Sequence, residues 1–165
     1  MTQAVKNSII RKALMEDKDK LFSLIDALAD YEKLSRPDKD ARERLKRDLF
    51  GGVPRAYPLL AEYEEKAVGY AIYLFTYSSF LAVPTLYIED VFILPEYRSL
   101  GLGKAVFKHL AKLALENDCG RVDFQVLDWN KLAIDFYEKI GAKHLKEWLL
   151  YRMTEDQLKD FISKS

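Results

Sequence analysis

The chain has 165 residues, the size of one compact domain, and its 26 Lys and Arg balance 26 Asp and Glu, so it carries no formal net charge. An apolar content of 49% with 13% aromatics excludes a disordered chain, and neutrality excludes the global basic field of non-specific nucleic-acid binding, though not a local patch. A single cysteine, Cys119, excludes an internal disulfide framework, and two histidines 35 positions apart, His109 and His144, give no zinc spacing, so no metal is expected. The first residues, Met1 to Asn7, hold no apolar leader, and the longest apolar run, 67–75, is nine residues, about half of what a bilayer crossing needs. The expectation is a soluble, cytoplasmic single domain with no membrane or nucleic-acid partner.

In chain order, Ser8-Ile-Ile-Arg-Lys-Ala reads as a first strand. Leu21, Leu24, Ile25 and Leu28 then fall at one helix face within a helix over 17–34. Pro37 breaks it, and Asp38 caps a second helix over 39–50 with Ala41, Leu45 and Leu49 inward. Residues 57–64 and 67–76 read as a hairpin turning at Glu64-Glu65-Lys66. Pro84 opens a strand over 85–94 that Pro95 ends. A helix over 103–117 turns Val106, Leu110, Leu113 and Ala114 inward, and Gly120 is expected to supply its C-terminal turn. His109 lies off that inward face and reads as surface. A strand over 122–127 and a helix to Ile140 follow, the helix capped by Asp128 or Asn130 and closed by Gly141. Residues 145–153 read as mostly extended, and Thr154-x-x-Gln157 starts a last helix with a capping box. This order predicts a mixed α/β domain, antiparallel in front and helix-linked parallel behind.

Chemistry concentrates in the segment 87–104. A strand runs through a short loop, with Arg98, Gly101 and Gly103, directly into a helix. The helix start offers unpaired N–H groups, and Arg98 and Lys104 add charge, which together make an anion site. A Walker loop is excluded because Arg98 and Ala105 stand where Gly and Ser/Thr are needed, and a dinucleotide loop because Val106 replaces its third Gly.

Arg98-x-x-Gly101-x-Gly103 after a strand resembles the acyl-CoA pyrophosphate loop of the GNAT N-acetyltransferase superfamily. The chain further resembles its spermidine/spermine and thialysine N-acetyltransferase family through Tyr31-Glu-Lys-Leu-Ser35, Gly69-Tyr-Ala-Ile-Tyr-Leu-Phe-Thr-Tyr-Ser78, Leu86-Tyr-Ile-Glu-Asp90, Pro95-Glu-Tyr-Arg98, Val126-Leu-Asp-Trp-Asn130, Ala133-Ile-Asp-Phe-Tyr137-Glu-Lys-Ile-Gly-Ala142 and Glu147-Trp148. These pieces lie in order over residues 8–153. The resemblance implies one GNAT-type domain over 1–165, a mixed central sheet with helices on both faces, acetyl-CoA as cosubstrate and a homodimer. For the cofactor it implies Phe92, Ile93, Leu94, Arg98, Ser99, Leu100, Gly101, Leu102, Gly103, Lys104, Asn130 and Tyr137. For the amine it implies Tyr31, Glu32, Glu89, Asp90, Glu147 and Trp148. Two positions depart from the pattern. Ser99 stands where a second Gly is usual, which a negative φ would accommodate, and Ser78 stands where some polyamine-acetylating members have an acid.

Acetyl transfer needs a neutral amine, a polarised thioester and a stabilised thiolate. Glu89 and Asp90 are adjacent, so a regular pleat sends them to opposite faces, unless the bulge that the superfamily has here re-aims them. Glu89 is the candidate base, directly or through water, against its reading as a surface carboxylate. Tyr137 shares a helix stripe with Ala133, Phe136 and Ile140 and reads from periodicity alone as core; the resemblance makes it the acid at the CoA sulfur. A thiol near 8.5 and a tyrosine near 10 make full proton transfer uphill by about 2 kcal/mol, which favours hydrogen-bond donation. Asn130 reads as a helix cap and, by resemblance, a cofactor contact. The competing functions are a protein or peptide lysine acetyltransferase and a CoA-binding module without turnover; retention of Glu89, Asp90 and Tyr137 together argues against the module.

Overall fold

The computed structural model describes residues 7–164, so most of the stretch read as lacking an apolar leader, 1–6, lies outside the described residues. The chain divides into two compact units, Met1–Gln125 and Val126–Ser165. No helix among the described residues is long and apolar enough to cross a membrane.

The first unit is built on one sheet whose strands lie side by side in sequence order: β1 (Ser8–Lys12), β2 (Tyr57–Tyr63), β3 (Lys66–Ser78), β4 (Val83–Ile93) and β5 (Arg121–Phe124). The first three pairings are antiparallel and β4–β5 is parallel. Connection length explains the change, because a parallel neighbour requires a crossover, here the helix α3 described below. The β2–β3 turn is one residue shorter than expected. Lys66 already pairs with Tyr63, and Glu64 and Glu65 take φ of 48° and 65°, as a two-residue hairpin turn requires.

Helices α1 (Lys18–Glu32) and α2 (Lys39–Phe50) cover one face of the sheet, and α3 (Leu102–Glu116) covers the other, as expected for a mixed sheet clothed on both sides. Leu21, Leu24 and Leu49 pack with Leu60, Tyr70, Ile72 and Phe92. On the opposite face Val106, Leu110 and Ala114 pack with Ala61, Ala71, Leu86 and Ile88. The period-3.6 stripes read from the sequence are thus the faces that are buried. Asp38 caps α2 as expected, its carboxylate accepting from the Ala41 N–H at 2.8 Å. Two details differ. The left-handed residue after α3 is Asp118 (φ 54°) rather than Gly120, a conformation that aspartate tolerates. His109 is half-buried rather than on the surface, and burial lowers its pKa.

The second unit holds α4 (Lys131–Lys139) and α5 (Glu155–Ser163). Asn130 caps α4, its side chain accepting from the Ala133 N–H at 3.2 Å, and Gly141 ends the helix at φ 92°. Thr154 and Gln157 form the expected capping box of α5. Residues 145–153, expected to be extended, form no strand, and β5 stops at Phe124 rather than Leu127. Extended backbone needs a neighbouring ladder for its N–H and C=O groups, and the second unit has no strand among its described residues.

Candidate active site

The site begins with an irregularity in β4. Ile72 pairs with Asp90 while Tyr73 pairs with Ile88, so Glu89 is an extra residue with no opposite partner. This is the bulge that the resemblance implied. It reverses the alternation of the strand: Ile88 packs on the α3 face together with Val91 and Ile93, whereas Phe92 packs on the α1–α2 face. Asp90, one pleat from Phe92, is thereby turned to the α1 side, and Glu89 stays exposed beside it.

Helix α1 ends over this bulge. The Tyr31 ring lies 6.0 Å from the Phe92 ring, and Glu32, the last helical residue, presses its charge on Asp90. Burial comes first among the causes that push the Asp90 carboxyl up to about 6, followed by the Glu89 charge; the Tyr70 hydroxyl works against them. Glu32 is also raised, by burial. Three carboxylates thus converge where a cation would relieve their mutual repulsion, and one of them changes charge just below neutral pH.

Arg98 closes the same cluster. Its Nε donates to the Ile93 carbonyl at 3.0 Å, and its guanidinium lies over the rings of Tyr31 (4.6 Å) and Phe92 (5.5 Å). It therefore braces the end of β4 against α1, rather than simply extending outward from the loop. Ser99 follows at φ 68°, so the negative φ that would have accommodated a serine in place of glycine is not met, and Gly101 lies at φ 83°. Two left-handed residues within three positions turn the chain sharply into α3, whose first-turn N–H groups at Leu102, Gly103 and Lys104 no helix carbonyl can reach. Lys104 is exposed at this end, while the Leu102 side chain is buried, so only the Leu102 backbone is available there.

Beside the loop β4 has an open edge. β5 pairs with Thr85–Ile88 alone, so from Glu89 onward that edge has no strand partner among the described residues. The Leu94 N–H bonds the Val68 carbonyl at 2.9 Å, which by strand alternation turns the backbone groups of Val91 and Ile93 toward the open side. The side chain of Ile93 is buried, so this predicted cofactor residue offers backbone only, and Phe92, with its side chain buried and its backbone turned to β3, offers neither at this edge. An extended molecule with amide groups can add there as a strand does, next to the anion site at α3.

A family model described as the Acetyltransferase (GNAT) family matches residues 21–142, most of the chain. The chain belongs to the GNAT acetyltransferase family. It is 36% identical to the thialysine N-epsilon-acetyltransferase of Bos taurus, over 94% of this chain and 98% of the relative. It is 33% identical to the human spermidine/spermine N(1)-acetyltransferase-like protein 1, over 92% of this chain and 23% of that longer protein. Among solved structures, an integron cassette protein from V. cholerae superposes with a TM-score of 0.82 over 96% of this chain and 99% of that one, at 24% identity, a likeness of fold.

The first unit of this GNAT enzyme gathers Tyr31, Glu32, Glu89, Asp90, Phe92 and Arg98 at one end of β4. Tyr137 and Asn130 belong to the second unit, where Tyr137 is half-buried with its ring 5.7 Å from that of Phe136. Glu147 and Trp148 lie in an irregular segment of the same unit, both exposed. Ser78 is buried, and its Oγ accepts from the Leu81 N–H at 3.2 Å, so it closes a turn and brings no charge. Sequence reading missed Tyr70, which falls within an apolar run and reads as core. Its hydroxyl meets Asp90 only because the bulge turns Asp90 to that face.

Proposed function

We propose that this protein transfers the acetyl group of acetyl-CoA directly to a primary amine of a small molecule that carries a second positive charge: a diamine, a polyamine or a thialysine- or lysine-like amino acid. The convergence of Glu32, Glu89 and Asp90 at the open edge of β4 carries this reading. Such a cluster concentrates cations locally on a chain without net charge. The thialysine N-epsilon-acetyltransferase relatives, whose name specifies the ε-amine of a cationic amino acid, support it. Ser78, a buried turn cap where some polyamine-acetylating members have an acid, favours the shorter acceptors.

Acetyl-CoA supplies the thioester. The α3 start, with Gly101, Gly103 and Lys104, suits its pyrophosphate, and the open edge of β4 at Ile93 suits its pantetheine amides. Arg98 holds that edge in place, and Asn130 adds a contact by resemblance. On the protein side, Asp90 and Glu32 hold the distal ammonium while Glu89, directly or through water, takes the proton from the reacting nitrogen as it bonds to the carbonyl carbon. The carbon–sulfur bond breaks, and Tyr137 donates a hydrogen bond to the departing thiolate. Tyr31, Glu147 and Trp148 complete the acceptor side by resemblance. We take the whole chain, 1–165, as one catalytic domain, because the family match runs from the first unit into the second; the resemblance further suggests a homodimer in the cytoplasm. Thiol release from acetyl-CoA with matched monoamines and diamines, lysine, thialysine and a lysine peptide tests the reading. Turnover of the dicationic small amines is expected; turnover of the peptide alone, or of monoamines as well as diamines of equal length, overturns it.

A further inference from the structure

Tyr70 is the largest side chain that the fold buries completely, at 0% exposure, and its hydroxyl makes no hydrogen bond of good geometry among the described residues. A buried O–H without a partner is costly, and phenylalanine would fill the same space without the cost. Its position points to the reason. Tyr70 pairs with Phe92 and Ile72 pairs with Asp90, so Tyr70 and Asp90 are diagonal neighbours on one face of the β3–β4 pair, a spacing that an aromatic side chain spans. The two groups already act on one another, since burial and then the Asp90 charge push the Tyr70 hydroxyl far above its ordinary range. That hydroxyl stays protonated, so toward the ionised Asp90 carboxylate, which has no proton to give, it serves as a donor.

We propose that Tyr70 is a positioning residue whose buried hydroxyl donates to the Asp90 carboxylate when that carboxylate is ionised, fixing it as the anion that selects acceptors with a second positive charge. The selectivity half rests on the acceptor assignment above; the donor half does not. Around Asp90 stand Glu89 on its own strand, Glu32 from α1 and Tyr70 from β3, while the Arg98 guanidinium, from the loop after β4, is stacked on Tyr31 and Phe92. The residues that α2 packs into the core on this face of the sheet, Leu45, Leu49 and Phe50, are apolar. Glu32 and Glu89 oppose ionisation of Asp90, so a buried donor is what offsets them. When the distal ammonium docks, Asp90 releases its proton to solvent and accepts from Tyr70.

Tyr70→Phe removes one oxygen and keeps the packing. The titration of the Asp90 side-chain carboxyl, followed by carbon-13 NMR in the free enzyme, is expected to move upward by about half a pH unit or more, a readout that a purely structural role would not move. KM for a diamine is expected to rise about 10-fold with kcat within a factor of two, KM for a monoamine of equal length is expected to hold, and the acid limb of kcat/KM should move to higher pH. In an Asp90→Asn background the same change should have no further effect on KM. An unmoved Asp90 titration, with or without a lower Tm, overturns the proposal. A moved titration with no change in the diamine to monoamine ratio keeps the Tyr70–Asp90 pair and overturns the placement of the distal ammonium at Asp90.

Discussion

Asp90 combines two demands that oppose one another: it must be buried to be placed, and ionised to hold a cation. The balance is visible in its pKa of about 6, which makes its charge a liability for folding. The sign follows from linkage. Between the ordinary carboxyl value and 6 the folded protein binds a proton that the unfolded chain releases, so stability from this group falls as pH rises through that window and stays lowered above it. The width of that window corresponds to about 3 kcal/mol, an upper scale for the penalty at pH 8. Asp90→Asn is therefore expected to raise Tm at pH 8, with the difference vanishing near pH 4. The same variant should raise KM for a diamine while leaving that of a monoamine nearly unchanged, so it gains stability and loses recognition together. At Tyr137 the expectation is of another kind. Tyr137→Phe should lower kcat about 100-fold, roughly 2.7 kcal/mol, with little change in KM for acetyl-CoA, because its hydroxyl matters when charge builds on sulfur. Steady-state kinetics that leave kcat at the parental value would return Tyr137 to the role of a packed ring.

Single residues act here through two elements, the bulged strand β4 and the N-terminus of α3. Beyond the bulge β3 and β4 approach closely, where Gly69 pairs with Ile93: a Cβ at Gly69 would lie 2.3 Å from the Ile93 Cδ1 and 2.6 Å from the Phe92 carbonyl oxygen. Backbone cannot yield as a side chain tip can, so Gly69→Ala should part the strands and cost about 1–3 kcal/mol, read as a lower denaturation midpoint. It should also weaken the amine site, since Asp90 and Phe92 ride on the displaced strand. Gly101 limits the second element for a different reason. At φ 83° a β-branched residue is strained, and its side chain would crowd the first-turn N–H groups of α3. Gly101→Val is expected to weaken CoA binding at least 10-fold by calorimetry while the enzyme stays folded. Equal affinity would move the pyrophosphate away from this helix end.

At the scale of the whole molecule, the edge strand and the first helix are tied by one charge network away from the site. Arg11 on β1 donates to Asp17 through both terminal nitrogens, at 2.6 and 2.8 Å, and to Glu62 on β2 at 2.6 Å. Asp17 is buried and also accepts from the Leu14 N–H at 3.0 Å. The Arg11 hydrogen bond holds its carboxyl well below the usual range. The sign here is opposite to that of Asp90: stability from Asp17 is complete above the ordinary carboxyl pKa, near 4, and is lost as pH falls toward its lowered folded value. Asp17→Asn should cost about 2 kcal/mol at pH 7, less than a fully buried pair because Arg11 is partly exposed, and progressively less in acid. Denaturant titrations at pH 7 and pH 3 check both the size and the convergence. A loss of equal size at the two pH values would show that the role of Asp17 is packing rather than charge.

Much of this architecture is local, and local patterns are what a sequence displays. The stripes of α1 and α3, the Asp38 and Asn130 caps, the Thr154 capping box and Pro95 at the end of β4 all follow from side-chain period or from one residue bonding a backbone group three positions away. The ordered motifs from Tyr31 to Trp148 likewise carried the family, because each is a contiguous run. The exceptions arose where a residue's conformation or environment depends on chain distant in sequence. Ser99 takes a left-handed φ because the loop must join the end of β4 to the start of α3, whatever residue stands there. Residues 145–153 have extended propensity but no ladder in their own unit, and strand formation is decided by a neighbour rather than by the segment. The electrostatics of the acidic cluster belong to the same class. Glu89-Asp90 is legible as two adjacent acids, yet only pairing with β3 sets the bulge that turns Asp90 beneath α1, against Glu32 and beside Tyr70. A carboxyl's pKa is a property of the charges and solvent around it, and those are assembled by tertiary contact.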